Sequence, residues 1–238
     1  MSLECKVIEL GMIKFADLEK KQVELAKLRL QNEITDTILI AEHPPTITTG
    51  NTDVWNKVHV SKKNLEEMGI DYHESNRGGG AAALGPGQLI FYPIINVNLT
   101  QGIWNYMRAI EEIVHNVAQS LGANTFLGKE FNSVIKKDYL CVWHNNSWKK
   151  EKFLAQGYLA NKSVIKKGGF AINVDKRAHE NYRLIDHCGF KLDEVGATSF
   201  EEMLGYNPGI SLVKQAILSE LAKKFGYEIK IERLKVPA

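Results

Sequence analysis

Two side chains and one loop in this sequence have the types and spacing that could do chemistry. Cys188 stands between His187 and Gly189 in IDHCGF, and Lys152 opens KFLAQG, 36 positions earlier. A cysteine attacks as its thiolate, so a reactive one needs a nearby cation to bring its pKa down from about 8.5. By type alone a lone cysteine reads as a small buried hydrophobe, and a lysine at a strand edge as a solvated surface charge. The polar setting of Cys188 and the glycine after it shift that reading somewhat toward a reactive thiol; no periodicity joins it to Lys152. The loop is RGGGAAALGPGQ, residues 77–88. Gly78, Gly79 and Gly80 permit positive φ and close backbone approach, and consecutive backbone N–H groups can hold an anion or an oxyanion. The loop lacks the Gly-Lys-Ser/Thr ending of a P-loop and the helix-opening GxGxxG of a dinucleotide site. It is either a ligand cradle or a tight structural turn, with Arg77 orienting it or meeting an acidic group.

The elements that must position these residues are legible in outline. Asp17 can cap a helix running to about residue 32 through Leu18, Leu25 and Leu28, and residues 37–41 read as a strand stopped by His43-Pro44-Pro45, a turn in which His43 is structural. A short helix over 64–70 closes at Gly69, and a strand at 70–73 delivers the chain to the glycine loop. Residues 89–97 form the most apolar strand. Thr100 can cap a helix through Ile103, Met107, Ile110, Val114, Val117 and Leu121, whose spacings of four and three are helical, with Gly122 ending it. Short strands follow at 133–135, 140–143, 153–158 and 169–174, then a helix capped by Ser211 through Val213, Ile217, Leu221 and Phe225, and a last strand at 227–231. This irregular interleaving predicts a mixed β-sheet with packed helices, an α/β or α+β fold.

The 238 residues, 44% hydrophobic and 24% charged, suffice for one domain spanning 1–238 with a sizeable core. Neither a signal peptide nor a membrane span is predicted, so the expectation is a soluble cytoplasmic protein. The cysteines at 5, 141 and 188 are odd in number and widely spaced, predicting reduced thiols and no metal site. Cys141 on its strand is most simply core. A net charge of +2 is too small to imply nucleic acid. Basic clusters at Lys136-Lys137, Lys149-Lys150-Lys152 and Lys162 with Lys166-Lys167 are either a solvated face or a landing surface for an acidic partner.

EHPP (42–45), TTGN (48–51), GI (69–70), RGG (77–79), GPGQLIFYPI (85–94), KFLAQG (152–157), GFAINV (169–174), CG (188–189) and TS (198–199) occur in an order and spacing that resembles the lipoyl(octanoyl) transferases. The resemblance implies the fold shared with lipoate–protein and biotin–protein ligases. It also implies transfer of an octanoyl group from a phosphopantetheine thioester on acyl carrier protein to a lysine of a lipoyl domain, in E2 subunits or the glycine cleavage H protein. The family nucleophile falls on Cys188 and the family lysine on Lys152. Substrate contacts fall on Arg77, Gly78, Gly79, Gly80, Ala82, Ala83, Leu84, Gly85, Gly87 and Gln88 of the loop, and on Gly157, Gly168 and Gly169. No cofactor or metal is implied, since the thioester supplies the driving force, and the family is often monomeric.

The match departs from the family at the loop. Asn76, Ala82, Ala83 and Leu84 replace Asp, Thr, Tyr and His; Gly168 stands where a second family histidine is expected, and His187 where the family has proline. Three readings stay open. The chain is an active acyltransferase with a more apolar pocket, for octanoyl, lipoyl or a related acyl group; or a module that binds a lipoyl or acyl-carrier domain without efficient turnover; or an ATP-dependent lipoate ligase.

Overall fold

The computed structural model describes residues 3–53, 56–127, 142–145, 150–186 and 195–233. Its centre is a six-stranded mixed sheet in the order β10-β11-β6-β2-β1-β13. These strands are β1 (Leu3–Met12), β2 (Asp36–Glu42), β6 (Gln88–Ile94), β10 (Leu154–Asn161), β11 (Val164–Asn173) and β13 (Tyr227–Arg233). β1 pairs parallel with both β2 and β13, whereas β2–β6, β6–β11 and β11–β10 are antiparallel. The expected mixed sheet with packed helices is therefore what forms.

The period-two pattern of the strands sorts residues onto two faces. Val7, Ile38, Ile40, Leu89 and Phe91 face helices α3 (Ile103–Ser120) and α5 (Ile210–Phe225), where Ile110, Val114, Ile217 and Leu221 complete the larger core. Ile8, Leu39, Ala41, Ile90, Tyr92 and Ile94 face the other way, toward Phe15 and Leu18 of α1 (Phe15–Leu30). β6 is buried on both faces, which is why it reads as an uninterrupted apolar run.

Two small sheets flank this centre. One joins β3 (Thr46–Thr49), β4 (Asp71–Glu74) and β5 (Ala82–Leu84) in the order β4-β3-β5, with α2 (Lys62–Glu67) beside it. The other is β12-β9-β8-β7, from Thr125–Leu127 (β7), Val142–Asn145 (β8), Lys150–Lys152 (β9) and Gly196–Ala197 (β12). A short helix, α4, covers Phe200–Leu204.

The helix starts differ from expectation. Asp17 lies inside the first turn of α1, where its charge suits the helix dipole, and Lys14 is the cap residue. Thr100 closes a 3-10 turn over Val97–Thr100, donating to the Val97 carbonyl at 2.8 Å, so that β6 ends at Ile94 and α3 starts after Gly102. Gly209, not Ser211, precedes α5. β1 and β3 went unread, β1 because one of its two partners, β13, lies at the far end of the chain and β3 because Pro44-Pro45 reads as a stop. The strand expected at 133–135 lies outside the described residues, as do Lys136, Lys137, Cys141 and Lys149. No described helix is long and apolar enough to cross a membrane.

Candidate active site

A mostly apolar cavity of about 120 Å³ opens where the glycine loop, β6, β9, β10 and β11 converge. Its wall on the loop side is Arg77 and Gly79 through Leu84. Arg77 is buried and donates to the Gly78 (3.0 Å) and Gly80 (2.9 Å) carbonyls within the loop and to the Thr48 hydroxyl of β3 (2.8 Å). It is the loop's organiser. The loop rests directly on β10: a β-carbon on Gly157 would lie 2.4 Å from the Gly78 carbonyl oxygen, so only glycine permits that approach.

Lys152 also lines this cavity and is only 5% exposed, which corrects the expectation of a solvated lysine. The reason is non-local. β9 is held between β8 and β12, with Trp143 and Ala197 opposite Lys152, and the Lys152 carbonyl accepts the Thr198 N–H at 3.0 Å. Lys167, read as part of a surface cluster, instead pairs with the buried Glu19 at 3.0 Å. Glu19 is pulled below the ordinary carboxylate range: burial acts to raise its pKa, but hydrogen bonds from Ser75, Lys167 and His73 outweigh it.

Gly157, Gly168 and Gly169 line the cavity. Gly78, Gly85, Gly87 and Gln88 do not; they build its frame. Gln88 is fully buried, donates to Asn173 Oδ1 and to the Tyr182 hydroxyl (both 3.0 Å), and accepts the Gly85 N–H at 3.2 Å. Asn173 in turn donates to the Thr198 carbonyl at 2.9 Å. This buried network ties β6, β11, the 3-10 helix Lys176–Leu184 and the segment entering α4. Gly87 donates to Glu42 Oε2 at 3.0 Å, fixing the far side of the turn.

Residues the sequence reading missed are Phe15, Ala81, Ile90, Tyr92, Gln156, Ala171, Tyr182 and Ile185. The signal for two of them was present, since Ile90 and Tyr92 are two apart on one strand and must share a face. Cys188 lies outside the described residues, as do His187 and Gly189. Ile185, three positions before Cys188 in the chain, lines the cavity, and Asp186 is held by a 2.8 Å bond from His59 Nε2 and by its own N–H to the Lys57 carbonyl at 3.1 Å. Cys5 is no rival nucleophile, because burial and then the nearby Asp36 carboxylate push its thiol up to about 12.

The cavity wall at Tyr92 is braced by His43, which is fully buried. His43 Nδ1 lies 2.6 Å from the Ile13 carbonyl and Nε2 lies 2.6 Å from the Tyr92 hydroxyl. A carbonyl can only accept, so Nδ1 carries the proton, and Nε2 of the neutral ring accepts from Tyr92. Burial holds His43 neutral, lowering its pKa from 6.5 to about 4. Between those values the unfolded chain binds a proton that the folded chain refuses. The His43 contribution to stability is therefore intact above pH 6.5 and lost as pH falls toward 4, amounting to about 3 kcal/mol. Melting curves should show stability falling from pH 6.5 to 5, above the range where the depressed carboxylates Glu19 and Asp175 titrate. In His43→Gln that slope should flatten; an unchanged slope would mean that another group titrates.

Comparison with known proteins agrees with this architecture. The lipoyl protein ligase A/B catalytic domain matches residues 20–222. An octanoyltransferase of Caldicellulosiruptor saccharolyticus is 32% identical over 230 residues, covering 96% of this chain and 92% of the relative. One from Desulforamulus reducens is 30% identical over 227 residues, covering 94% and 92%. Among solved structures, a lipoate-protein ligase A bound with ATP superposes with a TM-score of 0.69 at 14% identity, covering 99% of this chain and 90% of that one. A bi-partite lipoate protein ligase from Thermoplasma acidophilum, studied with its E2 lipoyl domain, superposes at 0.66 and 14% identity, covering 98% and 88%. The structural likenesses carry the fold and the sequence relatives carry the chemistry: this chain belongs to the lipoyl protein ligase A/B catalytic-domain family, among its octanoyltransferases.

Proposed function

We propose that the chain moves an octanoyl or closely related acyl group from an acyl-carrier-protein thioester to a lysine of a lipoyl domain, such as that of an E2 subunit or a glycine cleavage H protein. The observation that carries this reading is a buried lysine set into the wall of an apolar, backbone-lined cavity. The cavity suits an uncharged hydrocarbon chain; the lysine is the one polar reagent that such a substrate requires beside a thiol.

In this reading the Cys188 thiolate, held beside the Lys152 ammonium, attacks the thioester carbonyl, backbone N–H groups of the loop steady the tetrahedral oxyanion, and the intermediate collapses as the carrier sulfur leaves and takes the Lys152 proton to become a thiol. The acceptor lysine amine then attacks acyl-Cys188, the Cys188 sulfur leaves, and neutral Lys152 takes the proton from the incoming amine. The thioester supplies the driving force, so the reaction uses no nucleotide and no metal. It belongs in the cytoplasm with its carrier proteins.

The test is intact-mass spectrometry of the protein after incubation with octanoyl-acyl carrier protein, with wild type and Cys188→Ser compared. A hydroxylamine-labile gain of one octanoyl group, absent from the variant, is expected. No gain from any acyl or lipoyl donor would return the chain to a binding module. Acylation of the acceptor that needs ATP and not Cys188 would make it a ligase.

A further inference from the structure

The cavity has two unlike ends, and their order along the strands can be read from the register. Gln88 pairs with Asn173, and Ile90 with Ala171, on β6 and β11. Gly169 lies one step further, where a β-carbon would stand 3.1 Å from Tyr92 Cδ1. Lys152 precedes Leu154, the first residue of β10, which pairs with Ile172. Lys152 and the Gln88–Asn173–Tyr182 network therefore sit at one end, and Tyr92 with Gly169 at the other. Four residue steps along β11 separate these levels, about 14 Å at ~3.4 Å per residue, the scale of a medium-length acyl chain.

Between the two ends the floor is small. Ala171, Gly169 and Gly157 lie side by side on β11 and β10, so hydrocarbon can lie on the sheet itself. The floor then stops at a large ring. Tyr92 is locked at its hydroxyl by His43, which is locked in turn by the Ile13 carbonyl. Phe15 stands edge-on to both rings, with centroids 6.5 Å from Tyr92 and 5.6 Å from His43. Because the Tyr92 hydroxyl is committed to His43, the cavity meets only the apolar ring.

We propose that Tyr92, held by His43 and backed by Phe15, is the end wall that sets the maximum acyl length this protein accepts. The inference rests on the acyl-transfer reading and adds its length limit: a saturated, unbranched tail whose last carbon abuts the Tyr92 ring. Removing the ring opens the floor toward α1, so longer tails fit where they were excluded.

The test loads acyl carrier protein with saturated chains from hexanoyl to tetradecanoyl and follows acyl-enzyme formation by intact mass in wild type, Tyr92→Phe, Tyr92→Leu and Tyr92→Ala. Two or more methylenes that no longer clash are worth about tenfold or more in relative rate. Tyr92→Ala should therefore gain at least that factor for dodecanoyl relative to octanoyl. Tyr92→Leu should gain less, and Tyr92→Phe should keep the wild-type order of donors, since the ring and not the hydroxyl is the wall. Binding of free fatty acids of the same lengths, followed by calorimetry, needs no transfer and separates the two claims. If wild type forms no acyl-enzyme but Tyr92→Ala still shifts its binding preference to longer acids, the transfer reading fails and the end wall stands. An unchanged length preference in the folded Ala and Leu variants, by rate or by binding, overturns the end wall.

Discussion

Lys152→Met should lower the acyl-transfer rate by at least about 100-fold while leaving the chain folded, a loss typical of removing one positioned proton carrier. Methionine keeps the length and apolar stem of lysine, so the cavity wall is filled and only the amine is gone. The backbone role of Lys152 is untouched by the change: its carbonyl still accepts from Thr198, and β9 still lies between β8 and β12. A loss measured in Lys152→Met is thus a loss of chemistry. Single-turnover acylation of Cys188 and subsequent transfer to the acceptor lysine should both slow, because one amine stabilises the thiolate in the first step and takes the acceptor's proton in the second. The pH profile supplies a second readout, since the wild-type limb that reports this amine should disappear from the variant. A rate within tenfold of wild type, with the profile unchanged, would remove Lys152 from the mechanism and leave it a buried wall residue.

What could be read in the sequence, and what could not, divides along the range of the interactions involved. The glycine loop was legible as backbone open to close approach, because glycine's lack of a side chain is a local property, but whether it was a ligand cradle or a structural turn was not. The helix over 103–120 was legible because its spacing is local too. Lys152 was misplaced because its burial depends on β12, more than forty residues later, closing over β9. Gln88, Gly85 and Gly87 were read as ligand contacts because they sit in the same motif as the lining residues. A motif records which residues go together, not which of them face the cavity. Tyr92 was hidden in a run that is apolar throughout, where both faces of β6 are buried and hydropathy cannot tell the cavity face from the core face. Only the alternation of the strand, combined with its neighbours' identities, separates Ile90 and Tyr92 from Leu89 and Phe91.

Restoring the family histidine should harm this protein. Gly168→His is expected to destabilise the fold by about 3 kcal/mol or more without raising activity, from two causes that act on the backbone before the imidazole is considered. Gly168 has φ +90°, a conformation costing a non-glycine residue about 1–3 kcal/mol. A β-carbon there would also lie 2.0 Å from the Gly157 carbonyl oxygen, closer than any relaxed contact allows. The obstacle is backbone in a paired strand, since Gly157 and Gly169 face each other between β10 and β11, so it cannot swing aside as a side chain could. The Gly168 carbonyl is further pinned by Gln22 Nε2 at 2.8 Å, and the same amide reaches the Pro93 carbonyl at 3.2 Å, tying α1 to β11 and β6. For a chain of this size, about 2–4 °C of melting temperature is lost per kcal/mol, so a fall of about 6–12 °C is expected. Gly168→Ala should show most of it, because the β-carbon is the offending atom. If Gly168→Ala melts with the wild type, the strand relaxes and the argument fails. If it melts low, the absence of the histidine belongs to the way β10 and β11 close on one another, together with the small floor on which the acyl chain is proposed to lie.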